Sequence, residues 1–543
     1  MKWVAFAGLG VVLLLLAWYP VVASGYGIRF MLQLFMWVAL AQSWNLISGL
    51  TGYVSFGHVA FFGTGAYAAG ILVATHGWHW IPASLLGGVV AVILAVAIGY
   101  PCLRLKGPYF AISMLGLNEV MRVLVSYFEG LTGGGSGLSL PTLHASVAIY
   151  YAMGLAALAV IGAAYLIITS RFGLRLMTIR EDEIAAEAVG IDTARYKLYA
   201  FLLSAFVPGV VGGLFARDQG YIEPIAVFPL ATTITMIVMA LFGGKGTVWG
   251  PVLGAASLFV LQELVWARFL YLHQILFGAI IILVVLFMPR GILGVLQQRY
   301  RLPRYVYAVN APVLEVVELT KRFGGVTAVS CCSLALTRGR IYGLIGPNGS
   351  GKTTLFNCIT GLQVRDAGVI RLRGQRIDGL PSHRVAMLGV GRTFQVIRVF
   401  PELTALENLL VVSRGDREVA ARRGRELLAF VRLEGLAGEH AGNLSYGQQK
   451  LLEFVRVLMM DPGLILLDEP AAGVNRTLLN ALLAAIRGLR DEGRTVLIVE
   501  HDMKVVMGLC EHVFVLDHGE LIAEGPPEAV QRDERVIEAY FGR

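Results

Sequence analysis

A glycine-rich loop between an apolar run and a helix-like stretch constrains this chain most. The loop reads Gly346-Pro347-Asn348-Gly349-Ser350-Gly351-Lys352-Thr353-Thr354 and follows the apolar run Ile341–Ile345. Glycines at this spacing let backbone N–H groups turn towards phosphates, the lysine can reach the β and γ phosphates, and the Thr353 hydroxyl suits Mg²⁺. The helix that should follow would present its positive end to the same anion. The loop therefore predicts a nucleoside triphosphate site, against the alternative of a chance turn before a helix.

The rest of the chain is too apolar for a water-soluble protein of this length. Of its 543 residues, 56% are hydrophobic and 15% are charged, and the mean hydropathy is +0.68. Long charge-free runs dominate up to Pro289, whereas the chain beyond Pro312 has the mixed charge of a cytosolic enzyme. We therefore predict a polytopic α-helical membrane domain over residues 1–300, a linker over 301–312 and an α/β nucleotide-binding domain of the phosphate-loop type over 313–543.

Apolar segments long enough to span hydrocarbon occur about ten times. They are Trp3–Val22, Ile28–Ile47, Val54–Ala74, Ile81–Tyr100, Tyr109–Phe128, Ala145–Thr169, Leu198–Ala216, Ile225–Phe242, Val252–Phe269 and Ile275–Met288. Basic residues gather in Pro101–Gly107, Ser170–Lys197 and Pro289–Tyr307, which predicts that these three loops are cytoplasmic. A retained first segment then makes the number of spans even and returns the nucleotide-binding half to the cytoplasm. A cleaved signal peptide is the alternative for that segment.

The net charge of +8 does not indicate nucleic-acid binding, because the basic residues form no stripe interleaved with aromatic residues. The five cysteines form no C-x-x-C pair, so we expect reduced thiols and no metal site built on them.

Two glycine-rich stretches and one ion pair stand out among the apolar segments. Gly52–Gly65 and Gly243–Gly254 fit either close helix packing or broken helices that line a transport path. Glu119 and Arg122 lie three residues apart on one helix face, which favours a mutually paired couple facing the bundle interior over the alternative of a substrate-facing role.

The cytoplasmic stretch near 171–197 is charged and amphipathic at helical spacing. An isolated helix of this kind needs a partner to bury Ile184 and Val189, and the nucleotide-binding domain is the obvious one. We therefore predict a coupling segment near 171–197, in which Arg180–Ile191 would dock on the surface of that domain.

Five side chains in the second half suit the chemistry of ATP. Phe323 follows a strand-like run and could stack on adenine, although a core aromatic is nearly as probable a role. Gln395 and Asp468 suit Mg²⁺, and Gln395 also suits the attacking water. Glu469 suits a general base that accepts a proton from that water, and His501 suits the γ-phosphate.

The segment Leu444-Ser445-Tyr446-Gly447-Gln448-Gln449 opens a helix just before the acidic strand. Ser445 would cap that helix, and Gly447 would let its backbone approach an anion. This order of motifs, from Val313 to the C-terminus, resembles the ABC transporter ATPases. The resemblance implies that ATP lies between the phosphate loop of one subunit and Ser445, Gly447 and Gln448 of another.

The motifs resemble one family of these transporters in both halves. In the second half, Val390–Thr404, Asp468–Gly473 and Glu500–Met507 are similar to the ATPase of high-affinity branched-chain amino acid importers. In the first half, Gly52–His58, Leu103–Gly107, Ile179–Ala186 and Gly250–Ala255 are similar to the permease of the same systems. Two departures are Arg476, where proline is common, and the fusion of permease and ATPase in one chain.

The resemblance implies an ATP-driven importer component of the bacterial inner membrane, with its ATPase domain in the cytoplasm and with ATP and Mg²⁺ as cofactors. A second permease and a second ATPase, or a second copy of this chain, would complete it with an extracytoplasmic solute-binding protein. The solute would be a branched-chain or related amino acid, with urea, short amides and aromatic or dicarboxylic acids as alternatives. Short inner loops disfavour an ABC exporter, and a membrane-anchored regulatory ATPase is the rival from another class.

Overall fold

The computed structural model describes residues 14–105, 107–141, 146–268, 312–413, 416–474 and 476–541. Within these residues the chain forms two compact units. The first contains residues up to 180 together with 194–268, and the second contains residues 181–193 together with 312–541. Below, the name coupling segment is used for residues 181–193, the part of the predicted segment that lies in the second unit. The predicted span Ile275–Met288, most of Trp3–Val22 and all of the predicted linker except Pro312 lie outside the described residues.

The first unit is helical, and seven of its described helices are long and apolar enough to cross a membrane. The helices up to residue 268 are α1 Gly25–Trp44, α2 His58–His76, α3 Trp80–Cys102, α4 Pro108–Tyr127, α5 Glu129–Thr132, α6 Ser146–Ile168, α7 Arg171–Glu181, α8 Glu183–Ala188, α9 Thr193–Gln219, α10 Pro224–Val227, α11 Leu230–Gly243 and α12 Trp249–Arg268. The seven candidates correspond to the second to eighth predicted spans: they lie in α1, α2, α3, α4, α6 and α9, and the seventh is the stretch Pro224–Gly243, which joins α10 and α11. Helix α12 is not among the seven and corresponds to the ninth predicted span. Strands β1 (Leu138–Ser139) and β2 (Tyr221–Ile222) pair antiparallel.

Glycine lets several of these helices touch backbone to backbone. A Cβ atom on Gly65 of α2 would lie 2.0 Å from the carbonyl oxygen of Gly209 in α9. A Cβ on Gly243 would lie 1.7 Å from the carbonyl oxygen of Gly250. Any larger side chain would push these backbones apart, so close packing accounts for part of both glycine-rich stretches.

The same two stretches also contain breaks in helical structure, at residues 52–57 and 244–248. Asn45 is fully buried and joins the second break to α1, because its Nδ2 donates to the carbonyl oxygen of Thr247 at 2.9 Å and its Oδ1 accepts from the Gly246 N–H at 2.7 Å. Arg180 donates from Nη1 to the carbonyl oxygen of Gly49 at 2.9 Å. The glycine-rich stretches therefore combine close helix packing with breaks in the helices, which were the two alternatives. Whether the breaks line a transport path stays a hypothesis.

Glu119 and Arg122 form the expected ion pair, with Arg122 Nε 3.0 Å from Glu119 Oε2. Their side chains are 58% and 37% exposed in this unit, so the prediction that the pair lies inside the bundle is wrong. Glu119 lies on the exposed face of α4, whereas the adjacent residue Asn118 is buried and donates to the carbonyl oxygen of Phe228 at 3.0 Å.

The second unit contains two sheets. Its strands are β3 Leu314–Phe323, β4 Val326–Leu336, β5 Ile341–Ile345, β6 Ala367–Leu372, β7 Gln375–Arg376, β8 Val390–Arg392, β9 Leu464–Asp468, β10 Thr495–Val499, β11 His512–Asp517 and β12 Glu520–Gly525. One sheet has the order β12-β11-β5-β10-β9-β8 and the other has the order β4-β3-β6-β7. Every residue of β5, β9 and β10 is buried, which explains why these strands read as unbroken apolar runs.

Helices of the second unit connect and cover these strands. Besides α8 they are α13 Lys352–Ile359, α14 Ser382–Met387, α15 Ala405–Leu410, α16 Arg417–Phe430, α17 Tyr446–Met459, α18 Arg476–Asp491, α19 Met503–Leu509, α20 Pro527–Val530 and α21 Glu534–Phe541. Because β5, β8, β9 and β10 are parallel, their carboxyl ends meet at one edge of the sheet. The phosphate loop and the two acidic strand ends therefore lie together there.

The coupling segment begins at the end of α7 and contains α8. Asp182 caps α8, because its Oδ1 accepts from the Ala185 N–H at 2.9 Å. This cap sets the helix so that Ala185, Ala186 and Val189 are buried, while Ile184 is 39% exposed. The prediction that Val189 is buried is confirmed, and the prediction for Ile184 is wrong because the capped start turns that side chain outward.

Candidate active site

The phosphate loop connects β5 to α13, and its backbone requires glycine. Gly346, Gly349 and Gly351 have φ values of +149°, +81° and +100°, which side chains with a Cβ rarely adopt. A Cβ on Gly346 would also lie 2.0 Å from the carbonyl oxygen of Leu516. The loop therefore keeps its turns only with glycine at these positions.

Lys352 lies at the start of α13 with 7% of its surface exposed. Its Nζ donates to the carbonyl oxygens of Gly346 and Pro347, both at 2.8 Å, and to Ser350 Oγ at 3.2 Å. Burial lowers the pKa of this ammonium, while the carboxylates of Glu469 and Asp468 oppose the shift. The cation thus lies over the loop, close to both acidic residues.

Asp468 ends strand β9 and is 2% exposed. Its Oδ2 lies 3.3 Å from Nη2 of Arg392, whereas its Oδ1 is buried with no hydrogen-bond partner among the described residues. Burial raises the pKa of this carboxyl, and Arg392 opposes the shift. A buried carboxylate oxygen without a partner, with the exposed hydroxyl-bearing Thr353 on the adjacent loop, fits a divalent cation bound through oxygen ligands.

Glu469 brings together the three residues predicted to act in hydrolysis. Its Oε1 accepts from Nε2 of Gln395 at 3.1 Å and lies 2.9 Å from Nε2 of His501. Its own φ is +48°, an uncommon value for a residue with a side chain. The backbone is held there from both sides, because the Glu469 N–H donates to the carbonyl oxygen of Val499 at 2.9 Å and its carbonyl accepts from Nζ of Lys450 at 2.6 Å.

The helix start predicted to bind a second phosphate group is α17. Ser445 and Gln448 form a reciprocal capping box: Ser445 Oγ accepts from the Gln448 N–H, and Gln448 Oε1 accepts from the Ser445 N–H. Ser445 is exposed and Gly447 is half-buried. The structure therefore builds an accessible, capped helix start.

Phe323 lies at the end of β3 and is 47% exposed. Nζ of Lys321 lies 5.3 Å from the centre of its ring. The partly exposed ring rules out the alternative of a core aromatic, and its role towards adenine stays a prediction.

Three residues that sequence reasoning missed also contact the site. Lys450 donates to the carbonyl oxygens of Glu469 and Ala472, and Arg392 contacts Asp468. The hydroxyl of Tyr540 in α21 accepts from the Gly346 N–H at 2.8 Å. Arg392 lies within the motif Val390–Thr404 and Lys450 directly follows the motif Leu444–Gln449, so their positions could have indicated a role in the site. No pattern in the neighbouring sequence indicates such a role for Tyr540.

A phosphate loop, an acidic strand end, a capped second helix start and a polytopic helical unit define an ABC transporter chain. Family models match residues 6–285 as the permease component of branched-chain amino acid transport systems, residues 329–472 as an ABC transporter, and residues 520–543 as a branched-chain amino acid ATP-binding cassette transporter. The chain therefore belongs to the branched-chain amino acid ABC transporter family, with permease and ATP-binding components in one polypeptide.

Relatives in other organisms match the second half. The high-affinity branched-chain amino acid transport ATP-binding protein BraF of Pseudomonas aeruginosa is 43% identical over 254 residues, which are 43% of this chain and 99% of BraF. The corresponding protein LivG of Escherichia coli K12 is 40% identical over 253 residues, which are 43% of this chain and 99% of LivG. A solved nucleotide-free ATP-binding cassette is 32% identical, with a TM-score of 0.40, over 43% of this chain and 100% of that one.

Family membership defines the activity at a coarse level. The chain is a membrane component of a solute importer that binds nucleotide and hydrolyses ATP to drive transport, and it works within a transporter complex.

Proposed function

We propose that this chain imports branched-chain or related amino acids and that Glu469 is the base of its ATPase. The convergence of Gln395 and His501 on one carboxylate oxygen of Glu469 carries the second part of the proposal. The permease match over residues 6–285 supports the first part. Urea, short amides and aromatic or dicarboxylic acids remain the competing solutes.

In the proposed reaction, the loop Gly346–Thr354 surrounds the phosphates of ATP and binds them through backbone N–H groups that are not already engaged and through the ammonium of Lys352. Thr353, Gln395 and Asp468 would hold Mg²⁺, which neutralises charge on the phosphates when it is bound. Glu469 accepts a proton from the attacking water, and His501 donates a hydrogen bond towards the γ-phosphate. Phe323 stacks on the adenine.

The proposed assembly pairs two nucleotide-binding domains. Ser445, Gly447 and Gln448 of one would close over the ATP held by the phosphate loop of the other, because α17 offers an accessible, positively polarised helix start. A second permease and ATPase, or a second copy of this chain, and an extracytoplasmic solute-binding protein complete the importer. We place it in the bacterial inner membrane with the ATPase in the cytoplasm.

The test is uptake of labelled leucine into proteoliposomes that contain the assembled complex, with urea, acetamide, phenylalanine and succinate as competitors. Glu469→Gln should retain ATP binding and abolish both hydrolysis and uptake, whereas Glu528→Gln, at an exposed glutamate of α20, should behave as the parent. Undiminished hydrolysis by Glu469→Gln would refute the assigned base. ATP hydrolysis without uptake of any tested solute would favour the regulatory ATPase.

A further inference from the structure

Arg392 is a buried cation next to the acidic strand end that the reaction scheme leaves unused. Its side chain is 3% exposed at the end of β8. Nη2 lies 3.3 Å from Asp468 Oδ2, and Nη1 donates to Asn357 Oδ1 at 2.6 Å and to Thr360 Oγ1 at 3.1 Å. The guanidinium is therefore fixed by three acceptors on two neighbouring elements.

This arrangement holds one oxygen of Asp468 and leaves the other free. Arg392 contacts Oδ2, whereas Oδ1 is buried without a partner among the described residues. Ligating carboxylates are generally oriented by hydrogen bonds from an outer shell of side chains. Arg392 supplies such a bond and so defines the direction in which Oδ1 points.

Aromatic stacking connects Arg392 to a second arginine. The Arg392 guanidinium carbon lies 5.1 Å from the ring centre of Phe394, and that of Arg398 lies 5.0 Å from the same ring centre. These distances are typical of cation–π contacts. A shift of the Arg398 side chain would therefore disturb the ring that packs against Arg392.

Arg398 is in turn held by the coupling segment. Its Nη1 lies 2.6 Å from Asp182 Oδ2. The backbone of Arg398 is fixed separately, because its N–H donates to the buried Glu453 and its carbonyl accepts from the buried Arg456. Only the side chain of Arg398 is thus free to follow Asp182.

We propose that Arg392 is a positioning residue for Asp468, and that the stack of Arg392, Phe394 and Arg398 makes its position depend on the contact between Arg398 and Asp182. The proposal rests on the proposed role of Asp468 as a metal ligand. Through these contacts, a movement of the coupling segment can change the position of the Asp468 carboxylate without involving Gln395.

The first experiment measures binding of Mn²⁺, a paramagnetic substitute for Mg²⁺, to the purified full chain in detergent with a non-hydrolysable ATP analogue. Arg392→Met should weaken Mn²⁺ binding about 10- to 100-fold, the usual effect of removing an outer-shell partner. Metal-free binding of a fluorescent nucleotide should stay within about twofold of the parent. Arg376→Met, at an exposed arginine that pairs with Asp378, is the matched control and should leave both affinities unchanged.

The second experiment tests whether metal binding depends on the coupling segment. It also tests the proposal if Arg392→Met does not fold. Phe394→Leu keeps Arg392 and Asp468 but removes the aromatic ring that both guanidinium groups contact. Asp182→Asn should weaken Mn²⁺ binding in the parent and should have no further effect in Phe394→Leu. Equal effects of Asp182→Asn in both backgrounds would overturn the proposed route.

Asp468→Asn separates failure of this inference from failure of the proposed function. If Asp468→Asn weakens Mn²⁺ binding and neither Arg392→Met nor Phe394→Leu does, the inference about Arg392 is wrong and the metal role of Asp468 stands. If Asp468→Asn has no effect on Mn²⁺ binding, the proposed metal site itself is wrong.

Discussion

Replacing Lys450 with methionine should destabilise the second unit and displace the proposed base. Lys450 is 7% exposed, and its Nζ donates to the carbonyl oxygens of Glu469 at 2.6 Å and Ala472 at 2.7 Å. Hydrogen bonds from a charged donor each contribute about 1.5–3 kcal/mol, so the two together contribute about 3–6 kcal/mol. Burial of the apolar methionine side chain offsets about 1–2 kcal/mol of this loss in the free energy of unfolding. We therefore expect Lys450→Met to lower the free energy of unfolding by about 1–5 kcal/mol.

The backbone of Glu469 adds a functional consequence to this loss. Its φ of +48° costs about 1–3 kcal/mol and needs support from its surroundings, of which the bond from Lys450 is one part. Without that bond, the carboxylate should leave its position against Gln395 and His501. ATP hydrolysis should then fall by more than the change in the folded fraction accounts for.

The assay combines thermal unfolding of the detergent-solubilised chain without nucleotide and ATP hydrolysis by the assembled complex. For a domain of this size we expect the Tm to fall by about 10 °C. Lys450→Arg keeps the charge and the hydrogen-bond donors, so its Tm and its hydrolysis rate should fall less. Lys504→Met, at an exposed lysine, should match the parent in both measurements. A Lys450→Met variant with the parent's Tm and hydrolysis rate would refute the reasoning.

Three further predictions follow from packing and burial. Gly65→Ala places a Cβ against the backbone of α9 and should cost about 1–3 kcal/mol, measured as lower thermal stability in detergent, whereas Gly116→Ala meets open space and should not. Iodoacetamide at pH 8 should alkylate exposed Cys331 in the native chain but not Cys332, because burial raises the pKa of Cys332 to about 12; equal labelling in peptide mass spectrometry would contradict this. Tyr540→Phe leaves the Gly346 N–H without its acceptor and should raise the Kd for a fluorescent nucleotide several-fold, and an unchanged Kd would count against that contact.

Local patterns predicted much of the fold and the site because their physics is local. The phosphate loop needs glycine at fixed spacing, and the helix cap at Ser445 is complete within four residues. The seven described helices that are long and apolar enough to cross a membrane were predicted from the length needed to span hydrocarbon. In each case neighbouring residues in the chain determine the structure.

Features that depend on tertiary contacts could not be predicted in this way. The span expected to start at Val54 begins as helix only at His58, because Gly52 has a φ of +78° and Ser48 Oγ accepts from the Ser55 N–H. Tyr540 contacts a glycine 194 residues away, which no local pattern indicates.

The coupling segment and the nucleotide-binding domain belong to one polypeptide, and this lowers the affinity that their contacts must supply. Their ion pairs, Asp182 with Arg398 at 2.6 Å and Asp192 with His383 at 3.6 Å, are partly exposed, and each such pair contributes at most about 1 kcal/mol. The covalent connection keeps the segment and the domain at a local concentration on the order of millimolar. These weak ion pairs can therefore break and re-form in every transport cycle without separation of the segment from the domain.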